Sequence, residues 1–298
     1  MNLAMTSCLR LRSYAKINWT LEVMDRRPDG YHELRTIYQS VSLYDTIRLR
    51  ASPGKIEVGC DDARVPGDES NLAYRAANSL REVVGSRAGA LIEIQKRIPV
   101  GGGLGGGSSN AAVTLLGLSA LWKLEISNEA LSEMAAKLGS DVPFFLVGGT
   151  ALGTGRGEIV SPIEQADCPF ILLVNPGFSV STADAYGKLS RLTRRASTSI
   201  MPFALMAANG VRGLPHQARN DLEQAVLPAH PEIAEVKRRL LGMGARTTLM
   251  SGSGATVFGV FDNCETLSKA LEDVRAIGYR ADQVRTISRL EYWDSIFE

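Results

Sequence analysis

Apolar residues recur every three or four positions in several stretches of the chain, which predicts amphipathic helices. The clearest stretches are 71–84, where a polar DESN sequence stands at the start, and 127–138, which is followed by a glycine. The segment 111–121 is apolar nearly all round, so we expect this helix to be buried. The same spacing predicts further helices at 182–189, 231–241 and 265–276.

Short apolar runs, separated by clusters of Gly, Pro, Asp and Ser, predict strands. These runs lie at 17–23, 36–43, 46–49, 56–58, 91–96, 150–153, 170–174, 247–250, 256–261 and 283–288. Strands and helices alternate without a regular βαβ repeat, which favours an α+β fold. A chain of 298 residues is long enough for two domains, and we place them at 1–165 and 166–298.

Composition and charge narrow the range of functions. Hydrophobic residues make up 45% of the chain and charged residues 22%, as in ordinary globular proteins. A net charge of +1 gives no general positive electrostatic potential that would attract a nucleic acid. No apolar run is long enough to span a bilayer. The N-terminus lacks the features of a signal peptide. The four cysteines are widely separated in the sequence, which favours reduced thiols over a disulfide framework or a metal site. We therefore expect a cytoplasmic protein that binds neither nucleic acid nor membrane.

The most unusual segment is 99–110, PVGGGLGGGSSN, with six glycines in seven positions. Glycine at this density destabilises a fold unless the backbone adopts positive φ or approaches another group closely. The segment lies between a predicted strand and a predicted helix. Unpaired backbone N–H groups at a helix N-terminus bind anions, so we interpret the segment as a phosphate loop.

Three other interpretations of this loop are weaker. Gly101, Gly103 and Gly106 fit the dinucleotide-binding pattern, but the acidic residue at the right distance, Glu125, closes a helix instead of ending a strand. A Walker A loop ends in Gly-Lys-Ser/Thr, and this loop contains no lysine. A flexible linker is not normally held between a strand and an apolar helix. A nucleotide-binding module without catalytic activity remains an alternative.

Other candidates are ambiguous when each is taken alone. Asp141 is either a catalytic carboxylate or the N-cap of the next helix. Lys16 lies in a strand, where lysines are usually solvated edge residues. Tyr31 and His32 follow a Pro-Asp-Gly turn and either stack on a base or cover a local core. The glycine-rich turn at 251–254 either approaches a ligand or forms a hairpin.

Three motifs together resemble those of the GHMP kinase superfamily, which includes galactokinase, homoserine kinase and mevalonate kinase. PVGGGLG at 99–105 resembles the phosphate loop of that superfamily. SYAKIN at 13–18 and MSGSGA at 250–255 resemble its other two motifs. They occur in the same order and span nearly the whole chain. The resemblance implies a two-domain α+β fold, with an N-terminal ATP-binding domain, a C-terminal ferredoxin-like α/β-sandwich domain and an active site in the cleft between them.

Finer features resemble one branch of the superfamily, which phosphorylates the 2-hydroxyl of a methylerythritol unit linked to cytidine diphosphate, in the non-mevalonate route to isoprenoids. They are RPDGYHEL at 27–34, GSDVPF at 139–144, NDLE at 220–223 and the loop form GGGLGGGSSNAA at 101–112. The Asp-Gly-Tyr-His stretch separates this branch from homoserine and mevalonate kinases, which are the alternative. The implied partners are ATP and a small cytidine diphosphate substrate, and we expect a monomer or a weak homodimer.

The resemblance also implies roles for individual residues. Asp141 would accept or orient the proton of the substrate hydroxyl, and Lys16 would pair with Asp141 and stabilise charge on the transferred group. Mg²⁺ would accompany ATP, with Ser109 as a metal contact. The implied ATP-binding residues are Pro99, Val100, Gly101, Gly102, Gly103, Leu104, Gly105, Gly106, Gly107, Ser108 and Ser109, with Asn71 and Lys96 near the adenine or its ribose.

The remaining implied roles concern the cytidine substrate. Tyr31 would stack on the cytosine, with Tyr186 on the opposite face. His32 would form hydrogen bonds with the edge of the base, and Asn18 and Thr182 would hold the polar part of the substrate. Stacking tolerates any base, so selectivity for a pyrimidine has to come from the hydrogen-bonding groups.

Overall fold

The computed structural model describes residues 8–84, 88–192 and 218–298. The stretch 193–217, where the hydrophobic pattern predicts no clear element, lies outside the described residues. The strands are β1 (Cys8–Arg26), β2 (His32–Pro53), β3 (Ile56–Cys60), β4 (Ala88–Gln95), β5 (Thr150–Thr154), β6 (Ile159–Pro162), β7 (Ile171–Asn175), β8 (Arg219–Asn220), β9 (Thr247–Met250), β10 (Val257–Val260) and β11 (Arg280–Val284). The helices are α1 (Leu72–Val84), α2 (Gly106–Leu121), α3 (Asn128–Leu138), α4 (Thr182–Leu192), α5 (Glu223–Val226), α6 (Pro231–Gly242), α7 (Cys264–Ala276) and α8 (Arg289–Ile296), with a 3₁₀ turn at Pro143–Leu146.

The first sheet has seven strands in the order β3-β4-β2-β1-β8, with β5 paired to β2 and β6 to β5. The sequence predicts two strands at 36–43 and 46–49, whereas the structure has the single long strand β2. The strand continues because β1 pairs with it along its length, and a bulge between Tyr14 and Ala15 absorbs the irregularity near Tyr44. Most pairs in this sheet are antiparallel, which agrees with the predicted α+β class.

Helix α2 is buried, as the apolar sequence predicts. Ala111, Val113, Leu115 and Leu118 are fully inaccessible and belong to the core between the first sheet and α1, α2 and α3. This burial places the N-terminus of α2 and the glycine loop before it at the end of the first sheet. The loop is therefore held between two packed elements, which excludes the linker interpretation.

The second sheet has four antiparallel strands in the order β11-β7-β10-β9. The predicted hairpin at 247–250 and 256–261 is confirmed as β9 and β10. The strand predicted at 283–288 is displaced toward the N-terminus and appears as β11. All four strands follow residue 166, but β8 pairs with β1 of the first sheet, so the proposed division at 165/166 stays a prediction.

Helix α8 was missed by the hydrophobic pattern. The helix has only eight residues, and of these only Tyr292 and Ile296 are buried, which leaves no clear periodicity. Ser288 caps its first turn by accepting a hydrogen bond from the N–H of Glu291. Among the described helices, including α8, none is long and apolar enough to cross a membrane.

Candidate active site

A cavity of about 880 Å³ lies between the glycine loop, the turn after β1 and helix α4. All the predicted catalytic and cytidine-site residues line it: Lys16, Asp141, Asn18, Tyr31, His32, Thr182 and Tyr186. Of the predicted ATP-binding residues, Pro99 through Ser108, Asn71 and Lys96 line it as well, and Ser109 does not. The fold therefore brings together residues that are more than 100 positions apart in the sequence.

The glycine loop requires glycine at specific positions. Gly101, Gly103 and Gly105 have φ of 67°, 77° and 69°, a region that favours glycine. A Cβ at Gly103 would overlap the carbonyl oxygen of Ser251, and the Ser251 hydroxyl donates to the carbonyl of Gly103 at 3.0 Å. The loop is thus packed against the glycine-rich turn between β9 and β10.

The same loop leads directly into helix α2, whose N-terminus opens toward the cavity. Gly105 is the N-cap, and as a glycine it has no side chain with which to cap the helix. The N–H of Lys16 on β1 donates to the carbonyl of Leu104 at 3.0 Å and so attaches the loop to the first sheet. Backbone N–H groups and the positive end of the helix dipole together favour an anionic ligand here.

We expect Gly103→Ala to lower the melting temperature strongly, because the added methyl group overlaps the Ser251 carbonyl at a positive φ. Gly107→Ala is the matched control. In that variant the new Cβ has Leu72 as its nearest neighbour, at 3.8 Å, and the site is helical. Thermal unfolding of both variants is the measurement. Equal stability of the two would show that the loop does not depend on this close approach.

Lys16 and Asp141 form an ion pair in the cavity lining. Lys16 Nζ lies 3.3 Å from Asp141 Oδ2, and the two side chains are 4% and 33% exposed. Lys16 Nζ also donates to Asn18 Oδ1 at 2.7 Å. Because the lysine is buried on β1 beside β2, it is not the solvated edge residue that strand lysines usually are. Asp141 lies between α3 and the 3₁₀ turn. The N-cap of that turn is Val142, so Asp141 is not the N-cap, and its carboxylate pairs with Lys16.

Asn18 and Thr182 both line the cavity, and each is held by side-chain hydrogen bonds. Asn18 Nδ2 donates to Thr36 Oγ1 at 2.7 Å, so both ends of its amide are held. The Thr182 hydroxyl lies 2.9 Å from the Ser253 hydroxyl, which links α4 to the turn at 251–254. The turn thus forms part of the cavity wall as well as a hairpin.

Tyr31, His32 and Tyr186 form an aromatic part of the cavity lining, which we call the aromatic end. The His32 and Tyr186 rings are stacked with centroids 5.9 Å apart and an interplanar angle of 20°. Tyr31 is 55% exposed, and the Arg156 guanidinium lies 4.8 Å from its ring centroid. Burial, and to a smaller extent Arg26, lowers the pKa of His32. His32 is therefore neutral near pH 7, with one nitrogen as a donor and the other as an acceptor.

Sequence reasoning missed three residues that shape this site. Arg156 stacks on Tyr31, Tyr38 donates to Asp141, and Asp45 is buried beneath the glycine loop. Tyr38 on β2 is paired with Asn18 on β1. Knowledge of the register between these two strands would therefore have indicated that Tyr38 lies near the site. Neither Arg156 nor Asp45 belongs to a local motif that marks it.

Asp45 connects several backbone and side-chain donors at the start of the glycine loop. Its carboxylate accepts from Lys96 Nζ, from the N–H groups of Arg97 and Ile98 at 2.7 and 2.8 Å, and from Asn110 Nδ2 at 3.0 Å. The resemblance places Lys96 near the adenine or its ribose. In the structure Lys96 lines the cavity and forms an ion pair with Asp45. Asp45 itself is completely buried.

The predicted metal contact, Ser109, lies in a buried network away from the cavity lining. Its hydroxyl accepts a hydrogen bond from Ser13 Oγ at 2.8 Å, and its exposure is 0%. The adjacent Ser108 lines the cavity instead. Across residues 8–84, 88–192 and 218–298, no three His, Cys, Asp or Glu side chains cluster in a way that could hold a metal ion.

The dinucleotide alternative does not fit the structure. Glu125 lies in the exposed connection between α2 and α3, not at the end of a strand. The chain also enters a second helix after α2, whereas a dinucleotide-binding unit continues into a parallel strand. The glycine pattern here therefore does not mark a dinucleotide-binding unit.

Two family models match the chain. The model for the N-terminal domain of GHMP kinases matches residues 71–149, and the model for their C-terminal domain matches residues 204–280. Solved structures of a homoserine kinase from Cytophaga hutchinsonii (TM-score 0.72, 21% identity, 96% of this chain and 98% of that one) and of L. major mevalonate kinase (TM-score 0.73, 14% identity, 97% and 98%) share the fold. The chain belongs to the GHMP kinase family, a class of ATP-using phosphotransferases.

Similarity to one group within this family extends over nearly the whole chain. The 4-diphosphocytidyl-2-C-methyl-D-erythritol kinase of Geobacter sp. (strain M21) is 44% identical over 284 residues, 94% of this chain and 99% of the relative. The enzyme of that name from Alkaliphilus metalliredigens (strain QYMF) is 40% identical over 289 residues, 96% and 99%. A crystal structure of 4-(cytidine 5'-diphospho)-2C-methyl-D-erythritol kinase matches with a TM-score of 0.78 at 36% identity, covering 93% of this chain and 98% of that one. Among the GHMP kinases, the chain groups with the 4-diphosphocytidyl-2-C-methyl-D-erythritol kinases.

Proposed function

We propose that the protein transfers the γ-phosphoryl group of ATP to the 2-hydroxyl of 4-diphosphocytidyl-2-C-methyl-D-erythritol, giving the 2-phosphate and ADP in the non-mevalonate route to isoprenoid precursors. The observation that carries this proposal is a single cavity with three parts. The parts are the glycine loop at the N-terminus of α2, the Lys16–Asp141 ion pair and the stacked aromatic rings of His32 and Tyr186. These parts suit the phosphates of ATP, the reacting hydroxyl and a nucleobase, in that order.

Phosphoryl transfer depends mainly on positioning and on charge stabilisation. The backbone N–H groups of the glycine loop would bind the ATP phosphates, and Asp141 would accept or orient the proton of the attacking hydroxyl. Lys16, held by Asn18 and Asp141, would face the transferred group and stabilise its negative charge. Its position on β1 explains why the loop contains no lysine.

Mg²⁺ bound with ATP would neutralise phosphate charge, which is the usual chemistry of this ion in kinases. In the described part of the chain Asp141 is the sole carboxylate in the cavity lining. A site with so few protein ligands suits Mg²⁺, which keeps several waters and takes phosphate oxygens. The buried hydroxyl of Ser109 gives its proposed metal contact no support, and Ser108 is better placed for it.

The aromatic end would bind the cytosine. Tyr31 and Tyr186 would stack on the base, and neutral His32 would provide one donor and one acceptor to its edge. Asn18 and Thr182 would contact the polar part of the substrate. Arg156, which stacks on Tyr31, would keep that ring in place.

The direct test is to incubate the purified protein with ATP, Mg²⁺ and 4-diphosphocytidyl-2-C-methyl-D-erythritol, and to detect the new phosphate monoester by ³¹P NMR. Parallel reactions contain homoserine or mevalonate. The proposal requires phosphorylation of the cytidine compound alone. Phosphorylation of homoserine or mevalonate but not of the cytidine compound would assign the protein to a sister activity, and ATP binding without any turnover would favour a non-catalytic module.

We expect Tyr31→Ala to raise the KM for the cytidine substrate by roughly 5- to 150-fold, the range of base–aromatic stacking energies. The KM for ATP should stay nearly unchanged, because Tyr31 is not part of the glycine loop that is proposed to bind the ATP phosphates. Steady-state kinetics with each substrate varied in turn provide the measurement. Equal weakening of both substrates would rule out a stacking role for Tyr31.

A cytoplasmic location and a monomeric or weakly dimeric state stay predictions. Light scattering over a range of protein concentrations tests the oligomeric state directly.

A further inference from the structure

We propose that Tyr38 is a positioning residue for Asp141, and that its hydroxyl holds one carboxylate oxygen so that the other faces Lys16. The inference rests on the proposed kinase function, in which Asp141 meets the attacking hydroxyl. It extends that function by assigning a role to a residue of β2 that no sequence motif marks.

The ring of Tyr38 is held rigidly. It is 2% exposed and stacks on Phe144 with centroids 4.8 Å apart and an interplanar angle of 29°. Gly157 lies directly at its hydroxyl, where a Cβ would overlap the oxygen. A ring that stacks on Phe144 and is enclosed at its hydroxyl by Gly157 places that hydroxyl with little freedom, and this is what a positioning group needs.

The hydroxyl of Tyr38 donates to Asp141 Oδ1 at 3.0 Å. An alternative acceptor, the carbonyl of Gly157, is farther away at 3.4 Å. Hydrogen bonds to an ionised acceptor are stronger than those between neutral groups, so the single proton favours the carboxylate. Burial, together with the negative charge of Asp141, holds the pKa of Tyr38 well above its ordinary value. The hydroxyl therefore stays protonated and remains a donor at all physiological pH values.

Asp141 is thereby held at both oxygens. Tyr38 donates to Oδ1, and Lys16 Nζ lies 3.3 Å from Oδ2. Asp141 stands in a short connection and not inside a regular element, so the backbone alone restrains its side chain less than a helix would. Two donors on opposite oxygens define the plane of the carboxylate, and each oxygen keeps a lone pair for the substrate hydroxyl. Positioning within about 0.5 Å is the range that catalysis requires.

The test is Tyr38→Phe, which removes the hydroxyl and keeps the ring on Phe144. We expect kcat to fall by about 10- to 100-fold, the equivalent of one hydrogen bond to a charged group. The KM values for ATP and for the cytidine substrate should change less than about twofold, and the melting temperature should stay close to that of the wild type, because the ring packing is kept. An unchanged kcat would overturn the proposal. A lower melting temperature with both KM values raised would also overturn it, since that pattern indicates a structural role alone.

Tyr292→Phe is the matched control. Tyr292 is also a completely buried tyrosine, and its hydroxyl donates to the carbonyl of Phe145 at 2.6 Å, outside the cavity lining. This variant should keep the wild-type kcat even if its melting temperature falls. A similar loss of kcat in both variants would mean that any buried tyrosine hydroxyl has this effect, and would contradict a specific role for Tyr38.

Assays of the wild-type protein test the proposed function independently of the Tyr38→Phe variant. If the wild type phosphorylates another alcohol, the Tyr38→Phe comparison is made with that alcohol, because the proposal concerns the carboxylate and not the base. If the wild type phosphorylates no alcohol, both the proposed function and the role of Tyr38 are wrong.

Discussion

Replacing Asp141 with asparagine should lower kcat by about 10²- to 10⁴-fold, the range of a positioned acid–base group. The amide cannot accept the proton of the attacking hydroxyl, and it removes the negative charge that faces Lys16 at 3.3 Å. The dissociation constant for ATP should change little, because the proposed phosphate contacts come from the backbone of the glycine loop. Steady-state kinetics, combined with calorimetric titration of ATP, separate the two quantities.

The control for this experiment is Asp262→Asn. Asp262 also pairs with a cation, Arg246 at 3.1 Å, but its side chain is 63% exposed and lies outside the cavity lining. This variant should have the wild-type kcat. Turnover of Asp141→Asn equal to that of Asp262→Asn would remove Asp141 from the chemistry. A strong loss of ATP affinity in Asp141→Asn would instead mean that the carboxylate supports the nucleotide site.

Replacing Asp45 with alanine should lower the free energy of unfolding by about 3–5 kcal/mol, as is typical when one partner of a buried ion pair is removed. Asp45 is 0% exposed and pairs with Lys96, whose side chain is 6% exposed. Its loss leaves the lysine charge without a partner and leaves the N–H groups of Arg97 and Ile98 without their acceptor. Because those residues immediately precede the glycine loop, the affinity for ATP should fall as well.

Urea unfolding measures the loss of stability. Glu265→Ala is the control, since Glu265 also accepts from a lysine, Lys269 at 2.7 Å, but with an exposed side chain on α7. Surface pairs of this kind contribute little to stability. If Asp45→Ala destabilises the protein no more than Glu265→Ala does, the buried network is not what holds the start of the loop.

The sequence alone was sufficient where the signal is local. The glycine loop, the apolar helix that follows it and the hairpin around 251–254 were each predicted from neighbouring residues, because turn chemistry and periodicity act over a few positions. The prediction of strands and helices was less complete where the burial of an element depends on residues distant in the sequence. The break expected near Tyr44 is absent because β1 pairs across it, and α8 was missed because its burial comes from packing on the first sheet.

The residues of the candidate site also fall into those that sequence motifs indicate and those that only the structure reveals. Resemblance to a known family indicated Lys16, Asp141, Tyr31 and His32, and the structure gathers all four around one cavity. Tyr38 has no motif of its own and becomes significant only through its position opposite Asn18 and its hydrogen bond to Asp141. Until the register of the sheet is known, a single aromatic or acidic residue in a strand cannot be distinguished from an ordinary core or surface residue.

The sequence by itself determined that this protein has a glycine-rich loop before a buried helix, and it predicts phosphate binding there, since positive φ and close backbone approach restrict such positions to glycine. Only the tertiary structure decided which groups surround the loop. Lys16 and Asp141 lie about 125 positions apart, and neither their pairing nor the placement of Tyr38 and Asp45 follows from local propensity. Their distances are set by the pairing of β1 with β2 and by the burial of α2. These are long-range contacts that form only when the whole core packs.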